Sequence, residues 1–388
     1  MQPSGILETS KATKNPLKEL LNYGQSMWLD YIRRDLFTTG KLKHMIDEDG
    51  LRGMTSNPSI FEKAIADSSL YDDFLKTLAS RKDLDTTARY EQIAIRDIQD
   101  AADALRPVYE ESTFRDGYVS LEVSPYLARK TQETIDEARR LWKAVKRENV
   151  MIKVPGTAEG LPAVRQLIGE GININITLLF AQEVYEKVAE AYLAGLEDLA
   201  GRGGSLKKMA SVASFFISRI DTLIDSLLND KLKATSDANQ KALLTSVLGK
   251  VAIANGKLTY KSYQRIFSGA RWQALAAKGA QTQRVLWAST STKNPNYRDV
   301  IYVEELIGPD TVNTMPPATI DAFRDHGKLR NSLTEDVPDA QKVMDNLARS
   351  GIAMKEVTDK LTEDGVKLFA DAFDQLLAAV AKNTQPKG

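Results

Sequence analysis

Short apolar runs alternate along the chain with segments in which apolar residues recur every three or four positions. Val184, Val188 and Tyr192 share one side of such a segment, as do Ile135 and Ala138 in an earlier one. These segments predict amphipathic helices. We predict that the apolar runs between them are strands, at residues 25–30, 50–56, 118–123, 150–154, 173–180, 208–216, 284–289 and 311–315.

Buried strands that alternate with helices predict a parallel α/β sheet, and eight repeats predict a closed (β/α)8 barrel. An open doubly wound sheet is the alternative, which the lack of a G-x-G-x-x-G loop after the first strand disfavours. We expect helical insertions at residues 59–117 and 222–283 and further helices at 339–382. No long linker bounds either insertion, so we expect a single barrel domain over residues 1–388.

The fifth predicted strand, "NINITLLF", has amide and hydroxyl side chains on one face. Asn173, Asn175 and Thr177 alternate with Ile174 and Ile176, so the two sets point to opposite sides of the sheet. Branched apolar residues usually fill a barrel interior. Inward amides therefore predict a polar site at the carboxyl-terminal mouth.

The fourth predicted strand, "VMIKV", places Lys153 in an apolar run. Its ammonium costs several kcal/mol to desolvate unless it is paired or gives up its proton. One interpretation is a structural ion pair with Glu122 or Asp30. The other is an amine that attacks a carbonyl carbon and forms a Schiff base, with those two carboxylates as candidate acids and bases.

Other predicted strands end in polar residues that would face the same mouth. A lone carboxylate at such a position is more often a helix cap, and Arg219 could instead pair on the surface with Asp221 or Asp225. Convergence around one buried lysine favours a binding site. The residues concerned are Asp30, Thr55, Asn57, Glu122, Ser214 and Arg219.

Composition narrows the classes of partner. The 52 basic and 52 acidic residues balance, which disfavours nucleic acid, and the absence of cysteine excludes disulfides and thiolate metal sites. His44 and His326 lie in polar settings, and we expect neither to take part in catalysis or metal binding. The chain lacks a membrane-spanning apolar run and an N-terminal signal-peptide core, so we expect a soluble, cytoplasmic protein with no membrane partner.

Six ordered motifs between about residues 15 and 325 resemble those of transaldolases, Schiff-base enzymes of the non-oxidative pentose phosphate pathway. They are "SMWLD", "GMTSNPSIF", "VSLEV", "MIKVPGT", "INITLLF" and "SRI". The length and the 222–283 segment resemble the longer bacterial type. The resemblance implies transfer of a dihydroxyacetone unit from sedoheptulose 7-phosphate or fructose 6-phosphate to glyceraldehyde 3-phosphate or erythrose 4-phosphate. It implies sugar phosphates as partners and no metal or organic cofactor.

Matched position by position, the resemblance implies that Lys153 forms the Schiff base and that Asp30 moves the proton of the C4 hydroxyl. Asp35 is a nearby alternative for the second role. Glu122 and Thr177 would hold a proton-shuttling water. The substrate itself would be bound by Thr55, Asn57 and Asn175, and its phosphate by Arg219 with Ser214.

The phosphate-binding motifs depart from the family pattern at two places. Many relatives have "SPFVGR" where this chain has "SFFISR", which keeps the spacing of serine and arginine. Many also have a second arginine, in "ASFR", where this chain has "ASTSTKN". We expect Lys293 to replace that arginine, assisted by Ser289 or Ser291, although lysine offers a point charge and not a bidentate fork.

Two other functions remain open from the sequence. An aldolase that releases dihydroxyacetone would use the same lysine. A barrel kept only for binding would use its insertions as an interface, which the intact set of Lys153, Asp30 and Glu122 disfavours. Transfer requires that water be kept from the enamine, and a lid from one insertion would suffice. The sequence leaves open whether the protein is a monomer or a homodimer.

Overall fold

Eight parallel strands close into a barrel in the computed structural model, which describes residues 15–384. Each strand pairs with the next along the chain, and the eighth pairs back onto the first. The predicted (β/α)8 barrel is confirmed and the open sheet is excluded. The strands are β1 Gln25–Asp30, β2 Gly53–Thr55, β3 Tyr118–Glu122, β4 Val150–Pro155, β5 Ile174–Leu179, β6 Ser211–Phe216, β7 Arg284–Ala288 and β8 Thr311–Met315.

Helices surround this barrel and extend beyond its last strand. They are α1 Pro16–Glu19, α2 Asp35–Thr38, α3 Lys41–Glu48, α4 Pro58–Ala66, α5 Asp72–Ala79, α6 Thr86–Ala104, α7 Arg106–Glu111, α8 Thr131–Val145, α9 Gly160–Gly169, α10 Gln182–Gly201, α11 Ser218–Ala234, α12 Ala238–Val247, α13 Val251–Ile266, α14 Ala270–Ala276, α15 Ile301–Glu304, α16 Pro317–His326, α17 Val337–Arg349 and α18 Met354–Thr384. Short 3₁₀ turns occupy Leu20–Tyr23, Pro125–Leu127 and Ser332–Thr334. Among the helices of residues 15–384, none is both long and apolar enough to cross a bilayer. Most of the N-terminal segment examined for a signal peptide lies outside the described residues.

The second strand is shorter than its predicted range of 50–56. Gly50 adopts φ +70°, a left-handed conformation that belongs to the turn after α3, so pairing starts only at Gly53. Gly53 packs so closely on Trp28 of the neighbouring strand that an added Cβ would lie 2.5 Å from the indole ring. Both glycines therefore fix where β2 can run.

Register across three neighbouring strands brings the predicted site residues to one level. Glu122 at the end of β3 pairs with Lys153 in β4, and Lys153 pairs with Asn175 in β5. Ile174 and Ile176 are fully buried and point the other way, where α9 and α10 pack against β5. The predicted alternation along this strand is therefore confirmed.

Asn173 lies just before β5, at the amino-terminal end of the barrel. Its amide group donates to the carbonyls of Glu148 and Val150, and its Oδ1 accepts from the backbone of Ala210. This side chain joins neighbouring strands below the core and contributes nothing to the opposite mouth.

The two long connections and the C-terminal segment are helical. Helices α4 to α7 lie between β2 and β3, and α11 to α14 lie between β6 and β7. The last helix, α18, packs against α4, α5, α6 and α11. We propose on this basis that the barrel and both insertions form one domain.

Candidate active site

A cavity of about 210 Å³ opens at the carboxyl-terminal ends of the strands. Most of the predicted site residues line it, whereas Glu122 and Asn175 are not part of its lining. The structure therefore brings together side chains from widely separated parts of the chain. The predicted residues that line the cavity are Asp30, Thr55, Asn57, Lys153, Thr177, Ser214, Arg219, Ser289, Ser291 and Lys293.

Lys153 is buried on the inner face of β4, with its amine at the floor of the cavity. The Nζ lies 3.2 Å from Oε2 of Glu122 and donates to the carbonyl of Ser56 at 3.1 Å. The ion pair with Glu122 that the sequence left open is therefore present. Lys153 also lines the cavity, and a pair with a purely structural role would not need to do so.

Glu122 is a buried carboxylate with unused hydrogen-bonding capacity. Neither oxygen has a hydrogen-bond partner of good geometry in residues 15–384, even though Oε2 is within ion-pair distance of Lys153. Burial raises the pKa of Glu122, and the charge of Lys153 opposes that rise. The group is thus a stronger base than an exposed glutamate would be.

Asp30 ends β1 on the other side of the cavity floor. Its Oδ1 accepts a hydrogen bond of 2.6 Å from the Thr55 hydroxyl, which lies 2.7 Å from the hydroxyl of Thr314. Burial raises the pKa of Asp30, while the Thr55 hydrogen bond and the charges of Lys153 and Arg219 lower it. Thr55 therefore hydrogen-bonds to Asp30 and opposes the rise in the pKa of that carboxyl.

The neutral polar residues fall into two groups. Asn175 is fully buried on the strand next to Lys153, where its amide donates to Ser120 and its Oδ1 accepts from Ser214 at 2.6 Å. Thr177 and Asn57 line the cavity itself. The Thr177 hydroxyl is buried without a partner among the described residues, whereas the Oδ1 of Asn57 caps α4. The Asn57 amide nitrogen is therefore the atom left for a ligand.

Arg219 enters the cavity from the first turn of α11. Its guanidinium lies over the ring of Phe216, 5.3 Å from the centroid. Desolvation lowers the pKa of Arg219, and the charge of Asp30 opposes this.

The surface pair proposed as an alternative for Arg219 does not form. Asp221 instead accepts from the Ala252 backbone and the Tyr302 hydroxyl. Asp225 accepts from the Gly249 backbone and the Tyr297 hydroxyl. The guanidinium has no carboxylate within ion-pair distance in the part of the chain that the structure describes.

The loop after β7 completes the rim of the cavity. Ser289 adopts φ +55°, and its hydroxyl lies 3.0 Å from that of Ser218 at the start of α11. Lys293 is exposed, and its Nζ donates to Ser291 at 2.8 Å. The cavity therefore contains a second lysine, with a more hydrated amine than that of Lys153.

Asp35 and the two histidines lie away from this cavity. Asp35 pairs with Arg33 and Lys41, and these contacts lower its pKa. His44 borders a separate surface groove, and His326 pairs with Asp299 and Asp325 on the surface. Asp30 is therefore the carboxylate that β1 delivers to the cavity.

Sequence reasoning missed five residues of the cavity wall, which are Phe216, Ala288, Thr314, Pro316 and Phe369. Of these, Thr314 belongs to β8 and Phe369 to α18. A lid from one of the two insertions was the hypothesis, whereas the C-terminal helix places Phe369 in the cavity wall near Lys153. The spacing of Phe369 and Phe373, four residues apart, was the available signal of an aromatic stripe.

The protein is a (β/α)8 barrel with a polar cavity at the carboxyl-terminal ends of its strands and a buried lysine at the cavity floor. The chain belongs to the transaldolase/fructose-6-phosphate aldolase family, whose model matches residues 27–380. Relatives named transaldolase support the assignment. That of Trichodesmium erythraeum is 49% identical over 96% of this chain and 98% of its own length. Transaldolase 2 of a Nostoc species is 50% identical over 94% and 96%, and the transaldolase of Thiobacillus denitrificans is 46% identical over 94% and 99%.

Proposed function

We propose that this enzyme is a transaldolase that moves a dihydroxyacetone unit between sugar phosphates through a Schiff base on Lys153. The observation that carries this proposal is the buried amine of Lys153 at the cavity floor, 3.2 Å from Glu122 and in the same cavity as Asp30. We also propose a cytoplasmic location, where such phosphorylated sugars are metabolised.

Imine formation begins when Lys153 loses its extra proton and attacks the C2 carbonyl of the ketose phosphate. Glu122 can accept that proton because it is adjacent and its pKa is raised by burial. A water bridging Glu122 and Thr177 would pass protons to the C2 oxygen, which leaves as water. Both side chains have unused hydrogen-bonding capacity for it.

Carbon–carbon cleavage follows from the electron demand of the protonated imine. Asp30 removes the proton of the C4 hydroxyl, the C3–C4 bond breaks, and its electron pair is held as an enamine on Lys153. The aldose phosphate leaves. The enamine carbon then attacks the aldehyde carbon of the acceptor, Asp30 returns its proton to the new hydroxyl, and water releases the ketose product from the lysine.

The rim of the cavity supplies the phosphate site in this proposal. Arg219 lines the cavity, has no carboxylate partner among residues 15–384 and carries a planar guanidinium, so it suits a phosphate. Lys293 and Ser289 lie on the same rim and would add a point charge and a hydroxyl. Deeper in the site, the Asn57 amide would bind hydroxyls of the three-carbon unit, and Asn175 would do so by exchanging one of its present partners.

Arg219→Ala is expected to lower kcat/KM for fructose 6-phosphate roughly 100-fold, because it removes a charge-assisted contact to phosphate. The loss should be far smaller with unphosphorylated fructose as donor. Lys293→Ala is the matched variant and should cost only several-fold, since its amine is exposed and hydrated. Equal losses of kcat/KM with both donors would contradict the proposal that Arg219 binds the phosphate.

The acidic limb of the pH profile of kcat/KM should follow the ionisation of Asp30. The proposed base must be ionised, so activity falls as pH drops through its pKa, which burial has raised. Thr55→Val removes the hydrogen bond that lowers the pKa of Asp30. We therefore expect the acidic limb of the Thr55→Val profile to move to higher pH. A limb that stays in place or moves to lower pH would contradict the role of Asp30 as base.

A direct assay separates transfer from simple cleavage. Fructose 6-phosphate is incubated with erythrose 4-phosphate, and sedoheptulose 7-phosphate is quantified by mass spectrometry. The proposal predicts sedoheptulose 7-phosphate in proportion to the glyceraldehyde 3-phosphate formed. Free dihydroxyacetone in that proportion, with no seven-carbon product, would instead identify an aldolase.

A further inference from the structure

Helix α18 crosses the mouth of the barrel. It contains 31 residues and is about 46 Å long at 1.5 Å per residue. It packs on α4, which follows β2, and on α11, which follows β6. These two strands are four apart in a closed ring of eight, so they lie on opposite sides of the barrel. The helix is therefore a strap above the cavity.

Phe369 is the residue of this strap that enters the active site. Its side chain is 7% exposed and forms part of the cavity wall, and the ring centroid lies 5.8 Å from Nζ of Lys153. The ring presents an apolar face with no hydrogen-bonding group. It can stabilise a cation on the lysine nitrogen without supplying a proton.

The strap meets the barrel one residue from Thr177. A Cβ at Gly365 would lie 2.9 Å from Cδ2 of Leu178, so the glycine permits a close approach. Leu178 itself has φ +62°, at a shift of register between β5 and β6. The buried side chain of Leu178 thereby contacts the strap, and the strap holds Phe369 one helical turn further along.

Anchors on both sides of Phe369 hold this part of α18. Glu363 pairs with Arg129, and Asp374 accepts from the Tyr126 hydroxyl, both partners belonging to the segment after β3. These two surface contacts lie on either side of Phe369 along the helix.

We propose that Phe369 excludes bulk water, as distinct from the single water proposed between Glu122 and Thr177, from the enamine on Lys153 and so determines whether the three-carbon unit is transferred or lost. This inference rests on the proposed function. In the loss route, a water protonates the enamine carbon C3, and the resulting hydroxide adds to C2 of the imine. The C2–N bond then breaks, so one water is consumed and dihydroxyacetone and the lysine amine are released. The apolar ring above Lys153 disfavours both steps.

The test compares the two fates of one intermediate. Phe369→Ala is given fructose 6-phosphate and erythrose 4-phosphate, and free dihydroxyacetone and sedoheptulose 7-phosphate are measured together. We expect the ratio of dihydroxyacetone to sedoheptulose 7-phosphate to rise at least about fivefold over the unsubstituted enzyme. Because both products come from the same enamine, this ratio does not depend on how much protein is folded. A smaller rise overturns the proposal.

Leu376→Ala is the matched control, since Leu376 is fully buried on the same helix but does not line the cavity. An equal rise of this product ratio in Leu376→Ala would mean that loosening the strap is enough to release dihydroxyacetone. That result would also overturn the role of Phe369. If Phe369→Ala does not fold, Phe369→Leu takes its place. A ratio above that of Leu376→Ala then supports the proposal, and an equal ratio overturns it.

Different results would contradict the proposed function and the role of Phe369. An unsubstituted enzyme that makes no sedoheptulose 7-phosphate would contradict the proposed function. An enzyme that makes it, with an unmoved ratio in Phe369→Ala, would contradict only the water-excluding role of Phe369.

Discussion

Lys153→Met should reduce kcat for transfer by at least about 10⁴-fold, because no other group at the cavity floor can form the imine. Methionine keeps the length and apolar body of the side chain and removes only the amine. Lys153→Arg keeps the charge beside Glu122 and should be as inactive, because a guanidinium does not attack carbonyl carbons under these conditions. Both are checked by the appearance of sedoheptulose 7-phosphate at matched concentrations of folded protein.

A double variant separates the chemical role of Lys153 from its ion pair. Lys153→Met leaves the buried carboxylate of Glu122 unpaired, which is expected to destabilise the fold by about 3–5 kcal/mol. Adding Glu122→Gln removes that charge and should recover most of the lost stability in urea unfolding. We expect no recovery of turnover. Recovery of turnover along with stability would mean that Lys153 serves only as a structural partner.

Asp30→Asn should slow carbon–carbon cleavage by about 10²- to 10⁴-fold while imine formation continues. The amide keeps an oxygen for the Thr55 hydroxyl but cannot take the proton of the C4 hydroxyl. Borohydride added during turnover should therefore trap mainly the six-carbon phosphate on the enzyme, identified by the mass of the adduct. The unsubstituted enzyme should yield mainly the three-carbon adduct.

Asp35→Asn is the control for this prediction. Asp35 is a carboxylate five residues further on, paired with Arg33 and Lys41 outside the cavity. Its loss should change turnover only a few-fold. Turnover near normal in Asp30→Asn, or a large loss in Asp35→Asn, would move the acid/base role away from Asp30.

The barrel and the floor of its cavity follow from local patterns in the sequence. Alternation along β5 predicted that Asn175 and Thr177 lie on the opposite face of the strand from Ile174 and Ile176. The parallel register places Glu122, Lys153 and Asn175 at the same level. The strand ends were predictable because parallel strands deliver their last residues to one rim. Such rules act within a few residues or between adjacent strands.

The cover of the cavity could not be predicted in the same way. Phe369 is more than 200 residues from Lys153, and its helix looks like any amphipathic helix in the sequence. Its position depends on a close approach at Gly365 and on the left-handed backbone of Leu178. Similarly, whether Arg219 paired with Asp221 or faced the cavity depended on the hydrogen bonds that Asp221 makes to Ala252 and Tyr302. Only the folded chain fixes those partners.

Lys153 carries the substrate carbon in the proposed mechanism, and one labelling experiment tests this role directly. The unsubstituted enzyme is incubated with fructose 6-phosphate, reduced with borohydride, digested and mapped by mass spectrometry. We predict a single reduced adduct of a three-carbon unit on the peptide that contains Lys153. The other lysine of the cavity, Lys293, serves as the internal comparison and should remain unmodified. An adduct on Lys293, or a Lys153 peptide without any adduct, would contradict the account.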